Sequence, residues 1–294
     1  MKKQELIVPV VCLALSACGG TTSGPPSGAT YDPIGNILSG GGAGTAEGTV
    51  DLIGASLRTN GTSGKVDMVT VSGEIDFDTG RVSIDDGTYA LIDADGGDSS
   101  GVITDGKATI ATKGALGLTG SYDFVFAIEN NYTSGSTSYD SSGFVGIETQ
   151  IEDMPGSGTA SFKGEAVAVL TQGSSGANFT DGASEFTADF KGKTVDVVMD
   201  GFTVSDLTTG LSASAPVDRI EITGMAISGN RFSDGTLKTT LGGSNVNLTG
   251  TVSTTSSEGA FFGYDDETSA PDEIGVSVIS TGADGILAAT AVAD

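Results

Sequence analysis

Beyond residue 47 the chain alternates apolar and polar side chains in short runs broken by glycine-rich turns, and this period of two decides what it can become. An extended strand turns successive side chains to opposite faces, whereas an amphipathic helix needs apolar residues every three to four positions. Ile75 and Phe77 alternate with Glu74, Asp76 and Asp78, and Val82 and Ile84 alternate with Ser83 and Asp85 across Asp78-Thr79-Gly80, a hairpin with one apolar face. Tyr122, Phe124, Phe126 and Ile128 alternate with Asp123 and Glu129. Phe186, Ala188 and Phe190 face away from Thr187, Asp189 and Lys191, and after the Lys191-Gly192 turn Val195, Val197 and Met199 oppose Asp196 and Asp200. Ile220 and Ile222 oppose Arg219, Glu221 and Thr223, and Val246, Leu248 and Val252 oppose Asn247, Thr249 and Thr251. No amphipathic stretch exceeds two helical turns. With 46 glycines among 294 residues, the pattern predicts an all-β sandwich or barrel.

Residue types narrow the chemistry. The chain has no His and no Trp, so it cannot assemble a Ser-His-Asp triad, a Cys-His pair, an HExxH zinc site or a His-ligated haem. Chemistry would have to run on carboxylates, Lys or Tyr. Asp and Glu number 38 against 13 Lys and Arg, for a formal charge of -25. A chain so acidic repels phosphate backbones, which excludes nucleic acid as a partner, and it favours basic partners.

The N-terminus reads as an address. Lys2 and Lys3 precede an apolar run from Leu6 to Leu15, the length of a signal-peptide core and too short to span a bilayer. The run ends in Leu15-Ser16-Ala17-Cys18-Gly19-Gly20, which resembles the lipobox of bacterial lipoproteins. The resemblance implies a signal peptide over residues 1–17, cleavage before Cys18 and acylation of that cysteine. The alternative is an ordinary secretory signal beside an incidental Cys18. The only other cysteine, Cys12, is lost with the signal, so no disulfide forms within the mature chain. Gly19 is compatible with outer-membrane sorting. Residues 18–47, rich in Gly, Ser, Thr and Pro, form a tether spreading over roughly 30 Å. Beyond it lie a β-rich N-terminal domain at 48–150 and a second unit at 151–294, with the polar stretch TSGSTSYDSSG interrupting the alternation before Met154-Pro155 restarts it.

Several segments of the second unit carry a family resemblance. They are Met154-Pro155-Gly156-Ser157-Gly158-Thr159-Ala160, the Phe186 to Gly201 hairpin, Ser228-Gly229-Asn230-Arg231-Phe232-Ser233, and Glu258-Gly259-Ala260-Phe261-Phe262-Gly263 with Glu273-Ile274-Gly275-Val276. Together they resemble the β-barrel domain of transferrin-binding protein B and its lipoprotein relatives, including factor H-binding protein. The fold this implies is a C-terminal, roughly eight-stranded antiparallel β-barrel with an N-terminal β-rich extension or small sheet domain. A Gly-x-Phe-x-Gly strand and a following Glu-x-Gly close the barrel in that family, and the aromatic fills the lumen. The function implied is that of a surface lipoprotein of the bacterial outer membrane, a non-catalytic module binding a protein or a small solute. No partner-contact residue of the relatives carries across. The alternatives are a self-associating structural or adhesive surface protein and, more remotely, an aspartic hydrolase. No catalytic, cofactor or metal residue is assigned; the membrane partner acts through Cys18.

Three acidic features have two readings each. Asp78-Thr79-Gly80 matches the aspartic-protease triplet, but it sits at a polar hairpin tip and reads as a turn. Asp93, Asp95 and Asp98, with Asp105, offer oxygen ligands to Ca²⁺ without the spacing of an EF-hand, and otherwise form a solvated loop. Asp265, Asp266, Glu267, Asp272 and Glu273 beside Tyr264 read as a solvated loop guarding a sheet edge or as a patch for a basic partner.

Overall fold

The computed structural model describes residues 49–63, 65–76, 81–85, 90–95, 102–104, 108–111, 122–134, 136–172, 175–207, 217–241, 244–246, 254–264, 269–282 and 285–294. Strands make up almost all of them, and one turn of 3-10 helix at Ile151–Asp153 is the only helical element among the described residues.

The first part is one antiparallel sheet. Its strands are β1 (Thr49–Asn60), β2 (Val66–Asp76), β3 (Arg81–Asp85), β4 (Ala90–Asp95), β5 (Val102–Thr104), β6 (Ala108–Ala111), β7 (Val125–Ser134) and β8 (Thr137–Gly146), in the order β4-β3-β2-β1-β8-β7-β6-β5. Asp76 pairs with Arg81, so the hairpin read at Glu74 to Asp85 is present. The polar stretch that interrupts the alternation is itself sheet: it makes the β7–β8 hairpin, with Ser134 opposite Thr137. Its hydroxyls stand in for apolar side chains, because the buried Ser141 bonds the buried Ser56 of β1 at 2.6 Å between Oγ atoms.

The second part is a closed barrel. Its strands are β9 (Thr159–Gln172), β10 (Ser175–Asp189), β11 (Thr194–Asp200), β12 (Thr203–Leu207), β13 (Val217–Ser228), β14 (Arg231–Ser233), β15 (Thr236–Leu241), β16 (Ser244–Val246), β17 (Thr254–Phe262), β18 (Glu273–Gly282) and β19 (Gly285–Ala293). Eight of them close a ring, β9-β10-β11-β13-β14-β17-β18-β19, with β19 returning to β9. β12 adds to β10 outside the ring, and the β15–β16 hairpin continues the edge of β13. The alternation read in the sequence turns Phe186, Val195, Val197, Met199, Ile220 and Ile222 inward, all buried. Phe261 stands at the centre of an aromatic cluster, its ring 5.2 Å from that of Phe232, 5.7 Å from Phe190 and 6.4 Å from Phe162. The lumen is thus filled by side chains, as small barrels require.

The sheet lies against one wall of the barrel. Along β18 the residues Glu273 to Ser280 are buried on both faces, and along β19 the same holds from Leu287 to Ala293. Inward residues meet the lumen; outward Ala288, Val292, Ala260 and Phe262 pack against β1, β7 and β8 through Leu57, Ala55, Val125 and Phe144.

Candidate functional site

The seam between sheet and barrel is built from small residues that let backbones approach, with aromatics seated on them. Phe144 of β8 lies on Gly275 of β18, where a Cβ would stand 2.9 Å from the ring. Phe262 of β17 lies on Gly146 at the end of β8, where a Cβ would stand 2.6 Å from its ring. The two rings meet edge to face at 5.8 Å. Polar groups inside the seam are paired: the Ser277 hydroxyl bonds Thr290 Oγ1 at 3.1 Å and the Ala55 carbonyl at 3.3 Å, and the Tyr122 hydroxyl donates to the Val292 carbonyl at 3.4 Å. Burial, first, and then the neighbouring carboxylates of Glu165, Asp294 and Glu273 push the Tyr122 hydroxyl above its usual range.

Glu273 is the anchor of this seam. Its carboxylate accepts backbone N–H bonds from Asp123, from Phe124 at 2.8 Å and from Val125 at 2.7 Å, which holds the start of β7 onto the start of β18. The residue is 2% exposed, and desolvation pushes its pKa up to about 8 against the lowering effect of the three N–H donors.

At one end of the seam a cleft of about 320 Å³ opens between β1 and β8 on one side and β13, β14 and β17 on the other. Its lining includes the small residues Gly54, Ala55, Ala226, Gly259 and Ala260 and the side chains of Phe144 and Phe232. Its charged groups are Glu148, Arg231 and Glu258, with hydroxyls from Thr70, Ser228 and Ser233. The Arg231 guanidinium clasps Glu148 through Nε at 2.6 Å and Nη2 at 3.2 Å, and Asn230 Nδ2 donates to Glu148 at 3.3 Å and to the Thr149 carbonyl at 2.7 Å. Burial still pushes the Glu148 carboxyl above its ordinary value, opposed by Arg231 and Asn230. Position 148 is fixed by a β-bridge to Phe262, and position 231 by the tight β13–β14 turn, whose Gly229 has φ +66°. Small neutral side chains with a few convergent polar groups can hold a compact polar ligand.

The acidic features fall elsewhere. Asp78-Thr79-Gly80, Asp98, Asp105 and Asp265 to Glu267 lie outside the described residues, as does Cys18. Asp93 and Asp95 belong to strand β4, opposite Ser83 and Arg81, rather than to a loop. No cluster of three metal-binding side chains occurs among the described residues. Glu273, read with the acidic run as solvent-facing, is instead buried, and Tyr264 and Asp272 are half-buried. Of the seam residues, Gly275 falls in the Glu273-Ile274-Gly275 segment of the family resemblance, whereas Glu148 and Gly146 carry no motif in the sequence; the one further signal is an uncharged, small-residue β19 in an otherwise acidic chain.

A closed barrel with a filled lumen and a second sheet applied to its outer wall define the class: a two-part, all-β protein. Residues 154–275 match the family of C-lobe and N-lobe β barrels of transferrin-binding protein B. The match covers less than half of the chain and makes its barrel similar to that family. The isotype 1 transferrin binding protein B of serogroup B Neisseria meningitidis superposes with a TM-score of 0.50 at 16% identity, covering 83% of this chain and 43% of that one. A variant of transferrin binding protein B from Haemophilus parasuis gives 0.48 at 17%, covering 83% and 45%. The chain spans less than half the length of either. No curated protein matches it in sequence.

Proposed function

We propose that this chain is a lipid-anchored protein of the bacterial outer membrane whose barrel and apposed sheet bind a protein partner without catalysis. The observation that carries the reading is a transferrin-binding-protein-B-type barrel with a filled lumen. A filled lumen supports a partner held on outer surfaces over a small solute held inside. The solved relatives are named for transferrin; the residues here specify no such partner, and the proposal is a protein ligand of unassigned identity. The lipobox-like segment ending at Cys18 supplies the anchor, and acyl chains at ~0.8 kcal/mol per buried methylene would fix the chain to the membrane without an apolar patch on its folded part.

Affinity capture with the full chain from native membranes tests the binding role: one stoichiometric foreign protein supports it, whereas recovery of only further copies of the chain favours the adhesive alternative. Mass spectrometry of the mature protein is expected to find acyl mass at Cys18, and Cys18→Ala to release the protein from the membrane fraction; an unmodified thiol removes the anchor from the proposal.

A further inference from the structure

The cleft beside the seam contains one more carboxylate than cation. Arg231 is committed to Glu148 by two hydrogen bonds, while Glu258, half-buried on β17, enters no ion pair among the described residues. Glu258 stands opposite Ser233 in the β14–β17 ladder, two positions from the pair of Arg231 with Ala260, so the free carboxylate and the clasped ion pair share one wall. The hydroxyls of Ser228 and Ser233 add acceptors. At about 320 Å³ the cleft lies at the small end of ligand sites, which run from ~300 to ~1,000 Å³, so it suits one long side chain rather than a whole cofactor. The field of a chain with charge -25 attracts cations toward it.

We infer that this cleft is the seat for a single ammonium or guanidinium group, a Lys or Arg side chain that a protein partner inserts between sheet and barrel, with Glu258 as its counter-ion and the Glu148–Arg231 clasp setting the rim. The inference rests on the protein-partner reading above and gives that partner its chemistry: a basic protrusion.

The probe is Nα-acetyl-lysinamide, titrated into the full chain while amide shifts of Gly54 and Gly259 are followed by NMR, with the uncharged norleucine counterpart as control. Saturable shifts at both glycines from the lysine compound alone are expected. E258Q, a substitution on an outward, half-buried position, is expected to weaken the binding at least tenfold. R231Q, which removes the cation paired with Glu148, is expected to strengthen it several-fold, whereas a site for an anion or a zwitterion would lose affinity in R231Q. Equal binding of the norleucine compound, absent shifts at the two glycines, or an E258Q variant that binds as well as the parent overturns the seat. In the membrane capture, a partner recovered equally by E258Q also overturns the seat and leaves the binding function standing; a cleft that answers the lysine compound while no partner is captured counts against the binding function alone.

Discussion

The barrel has two kinds of wall, and they differ more than their shared hydrogen-bond ladder suggests. Along β11 and β13 buried and accessible residues alternate, one face in the lumen and one in water, and the outward side holds Asp196, Asp200, Arg219 and Glu221. Along β18 and β19 both faces are buried, and the outward side holds Gly275, Ser277, Ala288 and Thr290. Charge marks the first wall and its near-absence the second. A strand buried on both faces cannot carry solvent-seeking side chains, so the covered wall is written in small and hydroxylated residues. The one carboxylate there, Glu273, is tolerated because three backbone N–H groups satisfy it.

Substitutions on the two walls should therefore separate. The largest effect is expected from Phe144→Ala, which empties the seat over Gly275 and should cost about 3–5 kcal/mol in urea unfolding; a loss below ~1 kcal/mol would mean the sheet does not depend on the covered wall. Glu273→Gln comes next, at about 2 kcal/mol near neutral pH, because an amide NH₂ is turned toward backbone donors. Its pH dependence is distinctive. The Glu273 carboxyl titrates at about 8 in the folded chain against an ordinary value of 4.5, so the folded state holds the extra proton between those values. Its contribution is full below about 4.5 and is lost as the pH rises through 8, at up to ~1.4 kcal/mol per pH unit. The stability gap between parent and Glu273→Gln should narrow from pH 5 to pH 9, and a gap that widens would reverse the assignment. On the watered wall Arg219→Gln breaks pairs to Asp200 at 3.1 Å and Glu221 at 3.3 Å, but these side chains are 29–46% exposed, so a loss under ~1 kcal/mol that fades in salt is expected. Smallest of all is Thr187→Val, exposed on β10, within ~0.5 kcal/mol by the same measurement.

The watered wall was legible in the sequence for the same reason that it is tolerant. Phe186 to Asp200 alternates cleanly because one face meets water, and that contrast is what a period-two reading detects. The closing strands were found through Phe261 between Gly259 and Gly263, an aromatic that does fill the lumen. The covered wall hides from such reading. In β19, GILAATAVA has no polar face to set the period, and only the position of the sheet reveals that Ala288 and Leu287 look in opposite directions. Glu273 misled through its neighbours: next to Asp272 in an acidic run it reads as solvated, and nothing local announces the N–H groups of residues 123–125 that reach it from across the fold. The cleft was equally silent, since Glu148 and Glu258 lie far apart in the chain and become neighbours only when sheet and barrel meet.

The ring is sealed by β19 pairing with β9, from Ile286 opposite Thr171 to Ala293 opposite Gly164. The first and last staves of the cask must find one another across the whole intervening polypeptide, so enclosure waits on the final strand of nine residues and is expected to be slow. During synthesis the phenylalanine-lined interior has no complete wall to shelter behind, and trimming that last stave should unseat not only the barrel but also the sheet that leans on its outer side.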